Sequence, residues 1–491
     1  MAKTYIMIKK PSSVWVSQNM IKEKIDANYM HYKFINLLDC KLEGTKKDFQ
    51  SMENGLLIDT LTDYTANGSF ESLDNNVKYT DSKGIPFIRI KNMSEDGLVL
   101  DDLYYIDNDS YRFLKKSKLE GNELLFSKTG AKLGLAMVFP SNFGKASLAD
   151  NIFKVVYKSE YDVHYIASFL NSKYGKLWVE RLSQGSAQPT IIKESFRQIK
   201  IPIPSPEIQK YIGDKVRRAE ELREEAKRLK EETEDLIINK LGTINLEENR
   251  NYSSAFISSG KIVERIDSEY YHLKYLKIED ELNRKGYKVK KLGEVCTRIF
   301  NGRTYSTTDK ERKYCNVGVG ELGDWFVNKS KEKFINEKVD KKYCLKANSI
   351  IWGNAAHLAK YIGEKVNIVL EEETVIPTTE VTAIEPNEEA IDPYYLFIFM
   401  RTQWGYYQIQ RTVKGMTAHS YPQDISNILV PIIDLTNEEL EVLKNNVITS
   451  YKNELNAKQL IQQAKQDVED LIEGNFDMSK LDNNYTAESR C

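Results

Sequence analysis

The residues with the most recognisable chemical spacing are three glycines, Gly318, Gly320 and Gly323, which match the G-x-G-x-x-G pattern of dinucleotide-binding loops. Such a loop holds a pyrophosphate only when a strand precedes it and the N-terminus of a helix follows it. The residues that follow here, 324–328, predict a turn and a strand. A nucleotide- or S-adenosylmethionine-dependent methyltransferase that uses this loop is therefore kept as an alternative hypothesis, and local backbone geometry is the simpler explanation.

Other catalytic signatures are absent from the sequence. It contains no G-x-x-x-x-G-K-[ST] loop, no G-x-S-x-G motif and no Pro-Pro dipeptide. Its five cysteines never form C-x-x-C, and its five histidines form no H-E-x-x-H pair. We therefore expect no catalytic residue, no metal and no cofactor in this chain.

Two stretches concentrate positive charge, although the whole chain has a net charge of −2. Residues 284–313 contain ten basic and three acidic residues, and residues 111–132 contain six basic and two acidic ones. Clustered Lys and Arg are typical of a surface that binds a nucleic-acid backbone. A solvated protein face has the same composition, so the charge alone leaves both interpretations open.

The two basic stretches belong to two copies of one long repeat. Residues 24–33 (KIDANYMHYK) return as residues 265–274 (RIDSEYYHLK). Later landmarks recur in the same order, as Asn67-Gly68 and Asn301-Gly302, Gly175 and Gly405, Gly185 and Gly415, and Pro202 and Pro431. Solenoid repeats run to only about 20–50 residues. The repeat therefore predicts two similar domains, each with its own core.

Within each copy, short β-type runs between turn residues predict an α+β, mixed α/β domain. The predicted strands are residues 86–90, 124–126 and 152–156 in the first copy, and 316–319, 349–352 and 380–384 in the second. One helix, near 162–182 and again near 393–412, is expected to close each domain.

A long charged helix follows each domain. Ser205-Pro206-Glu207 is a favourable helix start, and Thr436 with Glu439 forms a capping box. Each helix has a seam of alternating three- and four-residue spacing. On the first helix it is made by Ala219, Leu222, Ala226, Leu229, Thr233 and Leu236, and on the second by Ala457, Ile461, Ala464, Val468 and Leu471. Such seams predict an antiparallel coiled coil, roughly 50 Å long, that holds the domains apart. The alternative is that each helix docks on its own domain.

In the order of these features the chain resembles the specificity (S) subunit of type I restriction-modification systems. The matching segments in the first copy are residues 85–89, 125–130 with Gly134, 185–191 and 201–209. In the second copy they are residues 266–271, 292–296, 301–304, and Gly415 ahead of Val430-Pro431. Each motif is loose, whereas their order, given twice with a helix after each, covers nearly the whole chain. The second copy departs from the first at residues 355–357 and 417–420.

The resemblance implies two target-recognition domains, each reading one half of a bipartite site on double-stranded DNA. The implied order is recognition domain 1 (1–204), spacer helix 1 (205–241), a linker with recognition domain 2 (242–434), spacer helix 2 (435–474) and a tail (475–491). The helices would set the gap and dock two modification subunits, which bind S-adenosylmethionine and methylate adenine N6. A restriction (translocase and nuclease) subunit is compatible with this assembly, and the chain itself would be non-catalytic.

The chemistry of DNA readout then selects candidate contact residues. Arg and Lys grip phosphates or read guanine, and Asn and Gln read adenine. The candidates are Arg89, Lys91, Lys128, Lys132, Gln184 and Gln188 in the first domain, and Arg303, Asn354, His357, Lys360, Lys414 and His419 in the second. A coiled-coil scaffold without DNA binding is the remaining alternative. The longest apolar run, residues 394–400, is too short for a bilayer, so we expect a cytoplasmic protein without a membrane partner.

Overall fold

The chain divides into two compact units. The structure is a computed structural model that describes residues 34, 38, 49–244, 257, 262 and 265–481, without residues 82, 101, 186, 329, 330, 332, 372, 373 and 416. Unit 1 comprises residues 1–223 and 454–491, and unit 2 comprises residues 224–453. The first copy of the repeated I-D-x-x-Y segment, in residues 24–33, lies outside the described residues.

Two β-sheets form the body of unit 1. Its strands are β1 (Phe49–Glu53), β2 (Ile58–Asp63), β3 (Tyr79–Thr80), β4 (Ile85–Ile88), β5 (Met93–Ser94), β6 (Gly97–Leu98), β7 (Tyr104–Ile106), β8 (Lys118–Leu119), β9 (Leu124–Ser127), β10 (Ala136–Val138), β11 (Ala146–Leu148), β12 (Ile152–Tyr157) and β13 (Lys200–Pro204). An antiparallel sheet has the order β10-β9-β12-β2. A second sheet has the order β3-β7-β4-β11-β8, with β4 and β11 parallel. β1 pairs with β13, and β5 with β6.

Two helices, rather than the single predicted one, close unit 1. The helices up to the end of the first repeat are α1 (Asn54–Leu57), α2 (Phe70–Asn76), α3 (Asn108–Phe113), α4 (Val163–Asn171), α5 (Lys173–Leu182), α6 (Lys193–Arg197) and α7 (Pro206–Leu241). The chain breaks between α4 and α5 at Ser172, whose backbone is extended and whose hydroxyl accepts from the Gly175 amide at 3.3 Å. A Cβ at Gly175 would lie 2.3 Å from the Phe169 carbonyl oxygen, so this close turn requires glycine.

Unit 2 repeats this arrangement. Its strands are β14 (Lys288–Lys291), β15 (Cys296–Asn301), β16 (Thr307–Thr308), β17 (Cys315–Val317), β18 (Phe334–Ile335), β19 (Ser349–Gly353), β20 (Ala355–Ala356), β21 (Val366–Val369), β22 (Val375–Pro377), β23 (Val381–Pro386), β24 (Ala418–His419) and β25 (Leu429–Ile432). The antiparallel sheet has the order β15-β23-β19-β21, and the second sheet has the order β16-β18-β17-β22, with β17 and β22 parallel. β14 pairs with β25, and β20 with β24.

The remaining helices are α8 (Leu273–Arg284), α9 (Leu292–Val295), α10 (Pro393–Arg401), α11 (Gln403–Thr412), α12 (Pro422–Ile425) and α13 (Asn437–Glu473). The predicted helix near 393–412 is again two helices, which break at the extended residue Thr402. In both units a buried tyrosine on the first of these helices reaches a strand carbonyl. Tyr165 Oη donates to the Pro202 oxygen at 2.6 Å, and Tyr395 Oη donates to the Pro431 oxygen at 2.5 Å.

The predicted mixed α/β fold is confirmed, and all six predicted strands are present with ends shifted by up to two residues. One predicted correspondence between the repeats is wrong. In the sheet of unit 1, Asp63 lies opposite Phe153, and in that of unit 2, Asn301 lies opposite Thr382. Asn301 therefore corresponds to Asp63 rather than to Asn67, because sheet pairing and not the Asn-Gly dipeptide sets the register.

The two long helices begin and end where the sequence predicts. At the start of α13, Thr436 Oγ1 accepts from the Glu439 amide at 3.2 Å, and the Glu439 carboxylate accepts from the Thr436 amide at 2.9 Å. This reciprocal pair is the predicted capping box. α7 stops before Gly242 and α13 before Gly474, both at positive φ, 75° and 78°.

The long helices pack together within each unit. In unit 1, one buried core contains Ala219 and Leu222 of α7 together with Ala457, Ile461, Ala464, Val468 and Leu471 of α13. In unit 2, the Ser450 hydroxyl of α13 donates to the carbonyl of buried Ala226 at 3.3 Å, and Lys240 pairs with Glu439 at 2.8 Å. Leu229 is half-buried there, and Leu236 packs against the core of unit 2.

The end of each long helix docks on the domain of the other repeat. In unit 1, Glu469 of α13 accepts from the backbone amide of Lys173 at 2.8 Å, beside the break between α4 and α5. In unit 2, Glu234 of α7 accepts from Arg401 Nε at 2.9 Å, beside the break between α10 and α11. Glu234 and Glu469 are the repeated residues of the two E-D-L-I helix ends, so the repeat extends to this contact.

Candidate nucleic-acid interface

In unit 1, hydrogen bonds join two loops that are far apart in the sequence. Residues 128–134 follow β9, and residues 184–190 follow α5. Thr129 and Thr190 form a β-bridge, with their hydroxyls 2.9 Å apart, and the Ile191 amide donates to the Lys128 carbonyl at 3.0 Å. The fold thereby gathers Lys128, Lys132, Gln184 and Gln188 on one edge, where both glutamines are exposed.

Lys132 connects a third segment, residues 89–102, to this edge. Its ammonium donates to the carbonyls of Ile90 and Lys91 at 3.3 Å and to that of Met93 at 2.6 Å. An ammonium has three N–H donors, and each finds an acceptor here. Burial lowers the pKa of Lys132. This geometry ties Lys132 to the turn of residues 90–93.

Lys128 is also engaged within the protein. Its ammonium lies 3.3 Å from the carboxylate of Asp63 and 3.4 Å from that of Asp150. Asp63 is buried and also pairs with Lys193 at 2.9 Å. Burial alone raises the pKa of Asp63, and the hydrogen bond from Lys193 and the charge of Lys128 together bring it below its ordinary value. Asp63 is therefore ionised and holds both lysines at the base of the loops.

Arg89 and Lys91 share the carboxylate of Asp102. The distances are 3.2 Å to Arg89 and 2.7 Å to Lys91. Hydrogen bonds first from Lys91 and then from Arg89 lower the pKa of Asp102, whose backbone is in the left-handed region at φ 54°. The Arg89 guanidinium also lies 3.4 Å from the ring centroid of exposed Tyr104. Arg89 is thus a preset planar cation stacked on an aromatic ring.

In unit 2, the same two loops are joined in the same way. β20 pairs with β24, Lys414 pairs with His419, and the Ser420 amide donates to the Asn354 carbonyl at 2.9 Å. The loop that contains Arg303 is connected to them through residues 377–380. The Arg303 amide donates to the Pro377 carbonyl, and the Asn354 amide donates to the Glu380 carbonyl. All six predicted contact residues of the second domain therefore lie on connected loops.

Their side chains differ in how far they reach solvent. Arg303, His357 and Lys360 are exposed. Lys414 is exposed and pairs with Asp424 at 2.7 Å, and half-buried His419 stacks on the exposed ring of Tyr421. Asn354 is buried, and its amide donates to the Thr379 carbonyl and the Thr382 hydroxyl. Both N–H donors of the Asn354 side chain are thus used within the protein.

We call the described residues of 89–102, 128–134 and 184–190 the unit 1 rim. The unit 2 rim consists of residues 302–305, 354–362, 378–381 and 414–421. Sequence reasoning missed acidic and aromatic residues that belong to the rims or contact them, namely Asp63, Asp102, Tyr104 and Tyr421. Asp63 carries no local signal because its partner Lys128 is 65 residues away in the chain.

The glycine pattern at 318–323 occupies a tight turn on the second sheet. Residues 319–321 form a 3-10 turn, and the Glu321 carboxylate accepts from the Gly318 amide at 2.9 Å. In unit 1, the turn of residues 90–92 is the same, with Asn92 accepting from the Arg89 amide at 3.2 Å. No α-helix follows Gly323 before Gly353 among the described residues, so the dinucleotide fingerprint lacks its structural context.

The described ranges contain no group of three or more His, Cys, Asp or Glu side chains placed to hold a metal ion. Within the same part of the chain, no helix combines the length and the apolar character needed to cross a membrane.

Comparison with known proteins gives a family match for part of the chain. Residues 63–234 match the family model described as "Type I restriction modification DNA specificity domain". A search of curated proteins found no match.

Among solved structures, the S subunit of a type I restriction-modification system from M. genitalium is 14% identical, with a TM-score of 0.43, over 88% of this chain and 97% of that one. The HsdS subunit from Thermoanaerobacter tengcongensis is 11% identical, with a TM-score of 0.28, over 88% and 98%. A chain from a structure of type I R-M system assembly and conformational transition is 10% identical, with a TM-score of 0.30, over 87% and 98%.

Proposed function

We propose that this chain is a member of the type I restriction-modification DNA specificity family, whose model matches residues 63–234, and that each of its two units reads one half of a split DNA site. The family match confirms the resemblance that the motifs predicted. It gives no support to a methyltransferase built on the glycines of 318–323. The chain therefore carries a DNA specificity function, and the division of that function between two rims is the proposal.

The observation that carries this proposal is that corresponding loops are connected in the same way in both rims. In unit 1, the loop after β9 is bridged to the loop after α5, at Thr129 and Thr190. In unit 2, the loop after β19 is bridged to the loop after α11, at Ala355 and His419. Two edges with the same backbone and different side chains suit a site of two unlike half-sequences.

The rim geometry sorts the predicted contact residues into two roles. We propose that the exposed or rim-facing residues contact DNA: Arg89, Lys91, Gln184 and Gln188 in unit 1, and Arg303, His357, Lys360, Lys414 and His419 in unit 2. Lys128, Lys132 and Asn354 support these loops, because their polar atoms are bound within the protein. Phosphate contacts would come from Lys91 and Lys360, and base contacts from Gln184 and Gln188.

We further propose that α7 and α13 form an antiparallel spacer between recognition domains at residues 1–204 and 242–434. Their packing within each unit, and the docking of each helix end on the other repeat's domain, support this arrangement. Two modification subunits would bind the helices and supply S-adenosylmethionine-dependent methylation of adenine N6. A restriction subunit with translocase and nuclease activity would join the same assembly. No step of catalysis is assigned to this chain.

The test uses the chain assembled with its modification subunits. Gln184→Ala combined with Gln188→Ala should relax the sequence requirement in one half of the methylated site only. His357→Ala combined with Lys360→Ala should affect only the other half. Lys158→Ala is the matched control, because Lys158 is exposed at the end of β12 opposite the rim. Methylated sites are mapped by sequencing, and a change in both halves from either pair would contradict the proposal.

A further inference from the structure

The loop that follows β19 in unit 2 is longer than the corresponding loop after β9 in unit 1. In unit 1 it is closed by the Gly134 amide, which donates to the Ser127 carbonyl at 2.9 Å. In unit 2 the Gly363 amide donates to the Gly353 carbonyl at 3.3 Å. Both closing glycines have positive φ, 87° and 74°. Six residues, 128–133, lie between these ends in unit 1 and nine, 354–362, in unit 2, so the 354–362 loop contains three additional residues.

The extra length carries two large apolar side chains into solvent. Leu358 is 53% exposed and Tyr361 is 47% exposed. In the shorter loop of unit 1, the corresponding long side chain, Lys132, turns inward to three carbonyls. A single exposed apolar residue is ordinary on a protein surface. Two on one nine-residue loop, at an edge built from predicted DNA contacts, call for a partner.

Residues of α11 hold this loop rigidly from behind. Gln410, which is buried, donates from Nε2 to the carbonyls of Ala359 and Ile362 at 2.9 and 2.5 Å. Tyr406 Oη donates to the Lys360 carbonyl at 2.8 Å. The loop backbone is therefore fixed before binding, so little backbone conformational freedom is lost when the exposed side chains bind.

The charges around the loop identify the kind of partner. His357 and Lys360 are both exposed next to Leu358, and the Lys360 ammonium lies 5.0 Å from the Tyr361 ring centroid. DNA offers phosphates for the cation and, in its major groove, the apolar C5-methyl group of thymine. An apolar tip between cations matches that combination.

We infer that Leu358 contacts a thymine methyl group in the half-site that unit 2 reads, which makes the 354–362 loop a determinant of A·T against G·C at that position. This inference rests on the proposed function, in which unit 2 faces DNA. It adds an apolar specificity contact to a surface otherwise described by hydrogen-bonding residues and charges.

The experiment replaces thymine by deoxyuridine, which lacks only the C5-methyl group. The complex of the chain with its modification subunits is titrated with duplexes that carry its mapped site, with deoxyuridine in one half or in the other. For the half read by unit 2, the wild-type complex should bind the deoxyuridine duplex about fourfold more weakly per contacted thymine, the ratio expected for one buried methyl group. The complex with Leu358→Ala should bind both duplexes equally.

Leu273→Ala is the matched control, since Leu273 is an exposed leucine of unit 2 outside the rim. It should retain the wild-type preference for thymine. The inference is overturned if the wild-type complex does not distinguish the two duplexes, if Leu358→Ala keeps the preference, or if Leu358→Ala weakens assembly with the modification subunits instead. Absence of any sequence-selective binding by the wild-type complex would instead refute the proposed function.

Discussion

The strand ends that support the two rims have the same backbone arrangement. Their anchoring side chains are charged in unit 1 and neutral in unit 2. In unit 1, adjacent strands align Asp63, Phe153 and Phe126, and Lys128 follows two residues after Phe126. In unit 2, the same positions are Asn301, Thr382, Trp352 and Asn354. Unit 1 therefore anchors its loop with a partly buried ion pair, Asp63 to Lys128. Unit 2 uses a chain of neutral hydrogen bonds, in which Asn354 donates to Thr382 and Thr382 donates to Asn301 at 2.7 Å.

The comparison shows that the residues that support each loop can differ independently of the side chains that the loop exposes. Sheet register and the bridge between the two loops fix where each loop begins, whichever polar group fills the base. The side chains above the base can then change, as the lysine and arginine cluster of unit 1 and the apolar tip of unit 2 do. A protein that reads two unlike half-sites needs such independence.

Removal of the charged anchor of unit 1, the Asp63 carboxylate, should have the largest effect on stability. Asp63→Ala leaves Lys128 and Lys193 without their shared carboxylate, and we expect a loss of about 2–3 kcal/mol in the stability of unit 1. Asn301→Ala in unit 2 removes one neutral acceptor and should cost about 1 kcal/mol. Hydrogen exchange of the amides in β12 and β23 measures each unit separately. Equal losses in the two variants would contradict the distinction between the bases.

The same difference should appear as a pH dependence of one unit only. The ion pairs lower the pKa of Asp63 from its ordinary value of 3.8, so its contribution to stability is complete well above that value. The contribution should decline as pH falls below 3.8 and through the lowered folded pKa. Comparison of the wild type with Asp63→Asn between pH 3 and 7 isolates this contribution, because asparagine does not titrate. A difference that is constant over this range would exclude an ionised Asp63.

Substitution of a lysine in each rim should change the salt dependence of DNA binding differently. Lys132→Met frees the turn of residues 90–92 and should weaken DNA binding by about 1–2 kcal/mol without changing the slope of log K against log salt. Lys360→Gln removes a proposed phosphate contact and should reduce that slope by about 0.9. Binding titrations at several salt concentrations distinguish the two effects. A reduced slope for Lys132→Met would return Lys132 to the set of phosphate contacts.

The smallest expected effect concerns a feature that both units share. Tyr165→Phe and Tyr395→Phe each leave a buried proline carbonyl without its donor and should each cost about 1 kcal/mol in the corresponding unit. Tyr79→Phe is the control because that ring is exposed. Hydrogen exchange in α4 and α10 provides the measurement, and clearly unequal losses would show that the frames are less alike than their topology.

Local sequence patterns predicted those elements that local forces determine. The strands near 124–126 and 349–352 are short buried runs in which all residues but Ser349 are apolar, and the capping box at Thr436 depends on a residue three positions away. The break at Ser172 was missed because it depends on how closely Gly175 approaches the preceding helix. Apolar periodicity continues through such a break, so the pattern resembled one helix.

The candidate interface was predicted only in part for the same reason. Residue chemistry selected Lys128 and Asn354 as DNA contacts, which stays a prediction, and could not reveal that Asp63 and Thr382 engage them. The bridges between Thr129 and Thr190, and between Ala355 and His419, join segments about 60 residues apart. Pairing across such distances is decided by the whole fold, and one sequence does not encode it in any local spacing.

The most direct test of two-part recognition is single-molecule mapping of methylated adenines in DNA from cells that contain this chain and its modification subunits. The account predicts one motif made of two short specified sequences separated by a gap of constant length and unspecified sequence. Exchange of residues 1–204 for those of a related chain should alter one of the two sequences and leave the gap unchanged. A continuous motif, or a motif in which both sequences change together, would contradict the account.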